Sequence, residues 1–400
     1  MRSDRAPRCR WCRPGYHTEP YPPGHRAVSI SDYRLFGLVS APRIDEPIAA
    51  ALHGAVAGVR DWAEVLHAAA EHRIAPLLYQ RVRDAGVALP DDVRRRLAAA
   101  YARQKAIAAA QGVTLAELGA QLASAGIGVV VLKGGALARQ VYPDPALRPM
   151  EDLDLLVAPE HGEAACEVLR ACGFNAPRPH TRYDRLQHHF PIAHRTRDGI
   201  TVSVEMHTQA FNLIMNDPLS MRTLERPLSS FRVEGVTLRG LAPAQMLWMQ
   251  YLGMRKLAEP LRLGHVADLA AIAAHFDDAI DWPALRRAHP ALWNAYRAIH
   301  AFTPLPAPLC ASLGLDPQRP PRMREVGADY RGWPRVRAGA GIRATLLPPE
   351  WWARLVYGVA PTPVSRAWLP LRHAAAFASQ GLRRLYLGPV TPNSFFKTPG

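Results

Sequence analysis

The sequence is poor in cysteine and lacks any long apolar run. Five cysteines are spread over 400 residues, too few and too scattered for a disulfide framework in a chain of this length. No segment approaches the ~18 consecutive apolar residues that a membrane-spanning helix needs. The opening stretch MRSDRAPRCRWCRPGYHTEP has no apolar core of the kind found in export signals. We therefore expect a cytoplasmic protein without a transmembrane segment.

Two of the cysteines, Cys9 and Cys12, form a C-x-x-C pair. Such a pair supplies two of the four ligands of a structural zinc ion. No second pair follows at a usual spacing, so we favour a disordered tail over residues 1–44 and keep a zinc site as the alternative.

Lysine is also scarce, yet the chain is strongly basic. It carries 49 Lys and Arg against 34 Asp and Glu, a net charge of +15 at pH 7, and only four of the basic residues are lysines. The excess is greatest over residues 286–400. A basic region attracts phosphates, nucleic acid or an acidic protein, although a solvated arginine-rich surface is an equally good interpretation.

The periodicity of apolar residues divides the remainder into three regions. Residues 45–125 repeat at helical spacing. Residues 126–240 contain the strand-like runs IGVVVLKG and EDLDLLV and a hairpin signal at Asp198 and Gly199. Residues 241–400 return to helical spacing and include a basic amphipathic segment near the end. We predict an α+β fold in which a small mixed sheet is flanked by an N-terminal helical region and a C-terminal helical, basic region.

Two aspartates interrupt the hydrophobic run EDLDLLV. Residues i and i+2 of a strand point to the same side, so Asp152 and Asp154 share one face while Leu153 and Leu155 point into the core. Neighbouring carboxylates repel and raise each other's pKa unless a cation lies between them. Carboxylate oxygens are ligands that Mg²⁺ prefers, and the pair therefore predicts a metal site.

A third acid, Glu205, lies between Val204 and Met206 in a later strand. If that strand lies beside the first, three carboxylates meet at one place in the sheet. This is the ligand set of a two-metal site that clamps the entering and leaving oxygens of a phosphoryl displacement.

The glycine pair Gly134 and Gly135 closes a strand and opens a helix. Glycine amides at the positive end of a helix dipole approach an anion without obstruction by a Cβ atom. Lys133 and Arg148 bracket the motif and can hold phosphates, the arginine through a bidentate fork. We predict that these four residues bind a nucleotide.

The order of these features resembles the nucleotidyltransferase superfamily that shares its palm with DNA polymerase beta. The closer resemblance is to the uncharacterised bacterial nucleotidyltransferase family, with its pattern LKG, L, YP, lRpm and DlDlLv and a later vDlHw-like strand. The matching residues are Leu132, Lys133, Gly134, Leu137, Tyr142, Pro143, Leu147, Arg148, Pro149, Met150, Asp152, Asp154 and Leu156. The segment VEMHT stands at the later motif, and the resemblance covers roughly residues 45–290.

The resemblance implies a polymerase beta-like palm over residues 126–240. It also implies an enzyme that moves an NMP from a nucleoside triphosphate to an acceptor hydroxyl or similar group, with release of pyrophosphate. Asp152 and Asp154 would bind two Mg²⁺ ions, and Glu205 the ion that activates the acceptor. The acceptor is open among a small molecule, a peptide, a protein and RNA.

Some positions depart from the family pattern. Ala136 replaces a hydroxyl residue that helps many transferases to bind phosphates, Glu205 replaces the usual Asp, and Thr208 replaces an aromatic residue. His207 shares the face of Glu205, so it is either a proton carrier or, as we prefer, a structural hydrogen-bond partner. Asp268 matches a family position in the C-terminal helices, where it would orient the acceptor or cap a helix contact.

Two other functions fit parts of the pattern. The first is a nucleic-acid-binding or interaction protein in which the arginine-rich region acts and the palm is non-catalytic. The second is a kinase-like or phosphohydrolase enzyme, since acidic two-metal sites serve several phosphoryl transfers. Neither explains Gly-Gly followed by D-L-D as directly as nucleotidyl transfer does.

Overall fold

The computed structural model describes residues 30–177, 190–210, 219–255, 261–328, 347–360 and 362–387. The N-terminal part is helical, as the apolar periodicity predicts. Its helices are α1 (Ile30–Val39), α2 (Glu46–Ala57), α3 (Trp62–Glu71), α4 (Ala75–Asp84) and α5 (Asp91–Ser124). The side chains of Asp45 and Asp61 cap α2 and α3 by accepting hydrogen bonds from first-turn backbone N–H groups, a favoured way to begin a helix.

Helix α1 lies inside the range for which the sequence predicts a disordered tail. Leu35 and Phe36 are fully buried. A Cβ added at Gly37 would lie 2.2 Å from the carbonyl oxygen of Phe302. The predicted tail therefore does not extend through this helix, because its apolar residues pack on partners distant in sequence. Cys9 and Cys12 lie outside the described residues.

The central region forms a mixed sheet of four strands. They are β1 (Val129–Val131), β2 (Asp152–Val157), β3 (Ala193–Arg197) and β4 (Ile200–His207), in the spatial order β1-β2-β4-β3. Strand β2 pairs antiparallel with β1 and parallel with β4, and β3 pairs antiparallel with β4. Helix α6 (Lys133–Gln140) follows β1, and α7 (Gly162–Ala171) follows β2. The predicted α+β fold with a small mixed sheet is confirmed.

The hairpin between β3 and β4 turns at Asp198 and Gly199, as the sequence predicts. Both residues have positive φ, 51° and 74°, which a two-residue type I′ turn requires. The hairpin returns the chain along β2, and this return brings Glu205 beside the aspartates. A separate two-stranded sheet consists of β5 (Ser229–Val233) and β6 (Val236–Gly240).

The C-terminal region is helical, again as predicted. Its helices are α8 (Pro243–Met254), α9 (Leu263–His275), α10 (Trp282–Ala288), α11 (Pro290–Phe302), α12 (Ala307–Ser312), α13 (Glu350–Tyr357) and α14 (Pro363–Leu387). Helix α14 is the basic segment near the end of the chain, and it buries Leu369 and His373. One of its faces therefore packs on the rest of the protein. Within the described ranges, no helix has both the length and the apolarity needed to cross a bilayer.

Two hydrophobic cores underlie this arrangement. One surrounds the four-stranded sheet and includes Leu118 of α5 and Val204 of β4. The other is shared by helices from both ends of the chain, with Leu78 of α4 packed in the same cluster as Ile299 of α11. The N-terminal and C-terminal helices thus bury their apolar faces against one another beside the sheet.

Candidate active site

The register of two parallel strands brings two of the predicted acids together. Asp154 of β2 lies directly opposite Glu205 of β4, and Asp152 lies opposite Ser203. The intervening Leu153 is fully buried on the other face, as the alternation predicts. The carboxylates of Asp154 and Glu205 therefore meet on one side of the sheet. Asp152 lies on the same side, two residues before Asp154 in β2.

His207 joins these two acids. Its Nε2 atom lies 2.8 Å from Oδ1 of Asp154 and 3.2 Å from Oε2 of Glu205. The imidazole is buried, with 5% of its side chain exposed. With Nε2 protonated, His207 donates to both carboxylates and fixes their positions. The preferred prediction of a hydrogen-bonding role for His207 agrees with this geometry.

Lys133 supplies a cation to the same group. Its Nζ forms an ion pair with Oδ1 of Asp154. Lys133 has a φ of 43°, a left-handed conformation that is uncommon for a residue with a side chain. Strained backbone of this kind is found where the surrounding structure holds a functional group in place. At the start of α6, Lys133 combines this backbone conformation with its ion pair to Asp154.

The pKa values of the two aspartates shift in opposite directions. Burial, reinforced by the negative charges of Asp154 and Glu205, raises the pKa of Asp152 to about 6. Burial also disfavours the charged form of Asp154, but Lys133 and His207 outweigh it and hold the pKa of Asp154 below its usual value. The hydrogen bonds to Asp154 and Glu205 likewise raise the pKa of His207 against the effect of burial. Lys133 thus offsets only part of the negative charge around Asp152.

The group has the composition of a divalent-metal site. One possible ligand atom each from Asp154, Glu205 and His207 lies within 4.8 Å of the others. Three carboxylates, including Asp152, face the single ammonium of Lys133, so the group is net negative when His207 is neutral. A divalent cation would offset this charge, and the carboxylate oxygens suit Mg²⁺. Asp152 lies outside the three-residue group, and its predicted role as a metal ligand stays a prediction.

The glycine pair fills a packing role at the start of α6. A Cβ at Gly134 would lie 2.1 Å from Nη1 of Arg148, and one at Gly135 would lie 2.8 Å from Cγ1 of Val131. Neither position has room for a side chain. The pair therefore lets Arg148 and β1 approach the helix closely. The predicted binding of phosphate by the backbone amides of Gly134 and Gly135 stays a prediction.

Arg148 is held in a buried polar cluster around Asp268 of α9. Its Nη2 donates to Oδ2 of Asp268 at 2.9 Å, and its Nε lies 3.2 Å from the same oxygen. Tyr142 donates to Oδ1 of Asp268 at 2.8 Å, and Gln250 donates to Oδ2 at 2.8 Å. Asp268 thus fixes Arg148 in this cluster. The predicted binding of phosphate by Arg148 stays a prediction, as does the predicted role of Asp268 in orienting the acceptor or capping a helix contact. Gln250 carries no signal in the sequence that points to this cluster.

A known protein family matches more than half of the chain. The model of the uncharacterised nucleotidyltransferase family matches residues 59–307. No curated protein matches the chain. The solved structure of the antibiotic-resistance factor ANT(2'')-Ia is similar with a TM-score of 0.33 and 11% identity, over 48% of this chain and 98% of that one.

A second solved structure is an antigenic nucleotidyltransferase-like protein from Paracoccidioides brasiliensis. It is similar with a TM-score of 0.32 and 15% identity, over 46% of this chain and 89% of that one. The family match spans more than half of the sequence and contains Lys133, Asp154 and Glu205. The chain belongs to the uncharacterised nucleotidyltransferase family.

Proposed function

We propose that this protein is a Mg²⁺-dependent nucleotidyltransferase. It would transfer an NMP from a nucleoside triphosphate to a hydroxyl or similar group of an acceptor and release pyrophosphate. The observation that supports this most strongly is the pairing of Asp154 with Glu205 across parallel strands, beside Lys133 and His207. Family membership supports nucleotidyl transfer independently.

Asp152, Asp154 and Glu205 are the residues that would hold two Mg²⁺ ions. Such ions, when bound, stabilise the charges that develop on the attacking and leaving oxygens. Divalent cations bound at this position would offset the net negative charge of the three acids. The raised pKa of Asp152 supports the same assignment, since a nearby divalent cation would keep this carboxylate ionised.

The protein's own groups then have distinct tasks. The acceptor oxygen attacks the α-phosphorus as the bond between that phosphorus and the bridging oxygen of the pyrophosphate breaks. Glu205 receives the proton that the acceptor loses. His207 holds Glu205 and Asp154 in position. Lys133 and the first backbone N–H groups of α6 bind the negatively charged triphosphate. Catalysis of this kind depends mainly on positioning and on electrostatics.

The test is to incubate the purified chain with each α-labelled nucleoside triphosphate and Mg²⁺, with and without a cell extract. We expect label to move to an acceptor and pyrophosphate to appear. Glu205→Gln and Asp154→Asn should lower the rate by about a thousandfold or more, because each removes charge from the reaction centre.

The matched control is Glu163→Gln, which removes a carboxylate from the exposed surface of α7. This variant should retain the parent rate. Equal rates in Glu205→Gln and the parent would exclude Glu205 from the reaction. Binding of nucleic acid without any transfer of label would favour a non-catalytic palm instead.

A further inference from the structure

Helix α14 carries an apolar stripe on its outer side. Four large apolar residues of this helix are 73%, 37%, 72% and 67% exposed, in the order Val364, Trp368, Leu371 and Leu382. In the rest of the described chain, the large apolar residues exposed to this degree are Val113 and Leu347. Exposed apolar surface is therefore concentrated on this one helix. We call these four residues the α14 stripe.

The spacing of the α14 stripe places its members on one face of the helix. The steps from Val364 to Trp368 and on to Leu371 are four and three residues. The same alternation continues through two exposed alanines, Ala375 and Ala378, to Leu382. Alternating steps of four and three keep residues on the same side of an α-helix. The stripe is therefore a continuous apolar surface about 27 Å long.

The opposite face of α14 fixes the helix on the protein. Ser365, Leu369 and His373 are buried there. Oγ of Ser365 accepts a hydrogen bond from Nη1 of Arg354 at 3.0 Å, and Nδ1 of His373 lies 2.7 Å from the hydroxyl oxygen of Tyr357. Arg354 and Tyr357 belong to α13. The α14 stripe therefore cannot turn inwards without breaking these contacts.

The chain around the α14 stripe carries positive charge. No Asp or Glu follows Glu350 in the sequence. Helix α14 contains four arginines and no acid, namely Arg366, Arg372, Arg383 and Arg384. The guanidinium carbon of Arg372 lies 5.3 Å from the centroid of the Trp368 ring, so a cation adjoins the stripe. Tryptophan at the level of lipid headgroups and arginine directed towards them are typical of side chains at a membrane interface.

This charge distinguishes among the surfaces that could cover the α14 stripe. A second copy of the chain would place arginines opposite arginines, and α14 has no acid to pair with them. Like charges brought together oppose association. A nucleic acid binds mainly through its phosphates and would leave the leucines in water. An anionic bilayer satisfies both features, because its headgroups attract arginine and its acyl chains accept apolar side chains.

We propose that α14 docks this protein on the surface of an anionic lipid bilayer. The helix lies parallel to the membrane plane, with Trp368, Leu371 and Leu382 inserted at the boundary between headgroups and acyl chains. Arg372 contacts the phosphates of the headgroups, and the other arginines of the helix add positive charge. This docking goes beyond nucleotidyl transfer and does not depend on it.

Co-sedimentation of the full chain with lipid vesicles tests the proposal. One set of vesicles contains phosphatidylcholine alone, and the other contains equal parts of phosphatidylcholine and phosphatidylglycerol. We expect the parent to bind the anionic vesicles about tenfold more tightly than the neutral ones, or better. Binding to the anionic vesicles should weaken as the salt concentration rises, because salt screens the attraction between the arginines and the headgroups.

Variants of the α14 stripe separate docking from folding. The double variant Leu371→Gln, Leu382→Gln replaces two exposed side chains with a good helix former, so it should keep the circular dichroism spectrum of the parent. It should bind anionic vesicles about tenfold more weakly or worse, because two apolar side chains no longer leave water. Arg372→Gln should weaken binding about fivefold. The matched control is Val113→Gln on α5, which replaces an apolar residue that is 46% exposed and should bind as the parent does.

The proposal is overturned if the parent does not sediment with anionic vesicles, or if it binds neutral vesicles equally well. Unchanged vesicle affinity in the double variant would also overturn it. Light scattering that finds a dimer of the parent and a monomer of the double variant, without vesicle binding, would overturn it and assign the α14 stripe to a second copy. Asp154→Asn should bind vesicles as the parent does, because docking does not involve the acids of the sheet.

Discussion

Two buried carboxylates, Asp154 in the sheet and Glu350 in the C-terminal helices, are both paired with cations but differ in their surroundings. Glu350 accepts hydrogen bonds from Arg354, Arg366 and Arg324, at 2.6, 3.0 and 3.1 Å. Its neighbourhood is therefore net positive. Asp154 has one lysine and one imidazole, and it also lies near two further acids. A surplus of cations marks a structural carboxylate, whereas a surplus of acids marks a place where an external cation fits.

The same comparison bears on the basic C-terminal region. Arg354 is fully buried, and it also donates to the carbonyl oxygen of Ala360 at 2.8 Å and to Oγ of Ser365 at 3.0 Å. Part of the arginine excess in this region thus holds α13 to α14 and to the preceding segment. This assignment favours a structural role for these arginines over a role in binding nucleic acid.

The largest expected effect on stability is that of Glu350→Gln. The substitution leaves the fully buried Arg354 without its carboxylate, and such a loss typically costs about 3–5 kcal/mol. Denaturant unfolding at pH 7 measures it, with Glu163→Gln as the exposed control. An unchanged free energy of unfolding would show that Glu350 is not the structural carboxylate that its contacts indicate.

The pH dependence of stability should show the same contrast. Burial opposes the ionised form of Glu350, but Arg354, Arg324 and Arg366 outweigh it and lower its pKa to about 2, from about 4.5 in the unfolded chain. The lowered pKa means that its stabilisation is complete above pH 4.5 and is lost as the pH falls from there through 2. This loss amounts to roughly 2–3 kcal/mol. Glu350→Gln should therefore flatten the acid limb of the stability profile, and an unchanged limb would contradict the assignment.

Asp152→Asn should stabilise the fold, in contrast to Glu350→Gln. Its pKa of about 6 exceeds the ordinary value of 3.8, so the ionised carboxylate destabilises the fold above pH 6, and protonation relieves this between pH 6 and 3.8. At pH 7 and without metal, the variant should be more stable than the parent by about 1–3 kcal/mol. Chemical unfolding in EDTA measures this difference. Destabilisation would mean that the acids are already neutralised by the protein.

The smallest expected effect is that of Mg²⁺ itself. A cation that binds only the folded chain at ten times its dissociation constant adds about 1.4 kcal/mol to stability. Unfolding in EDTA and in Mg²⁺ should differ by this amount in the parent and in Glu350→Gln. The difference should vanish in Glu205→Gln, and its persistence there would place the cation elsewhere.

Local patterns in the sequence predicted most of the sheet and its acids. The alternation of Asp152 and Asp154 with leucines defined β2, and Asp198-Gly199 defined the turn that returns β4. The opposition of Asp154 and Glu205 followed as a conditional prediction, because it needed β4 to lie beside β2. Each of these features depends on residues close in sequence or on one strand pairing.

Other features depend on contacts between distant residues and have no local signal. Arg73 and Arg262 reach Glu151 only because the turn after α3 docks on α9. Arg148 was predicted to bind phosphate from its place in the motif, yet its partner Asp268 lies on a helix of the C-terminal region. Burial of α1 beside Phe302 is of the same kind.

Titration of the metal-free protein with Mn²⁺, followed by electron paramagnetic resonance, tests the central claim most directly. Mn²⁺ favours the same oxygen ligands as Mg²⁺. The parent and Glu350→Gln should bind Mn²⁺ with equal affinity and release it to excess Mg²⁺, whereas Asp154→Asn and Glu205→Gln should bind it about tenfold more weakly or worse. Equal Mn²⁺ affinity in the parent, Asp154→Asn and Glu205→Gln would contradict the claim that these acids form a metal site.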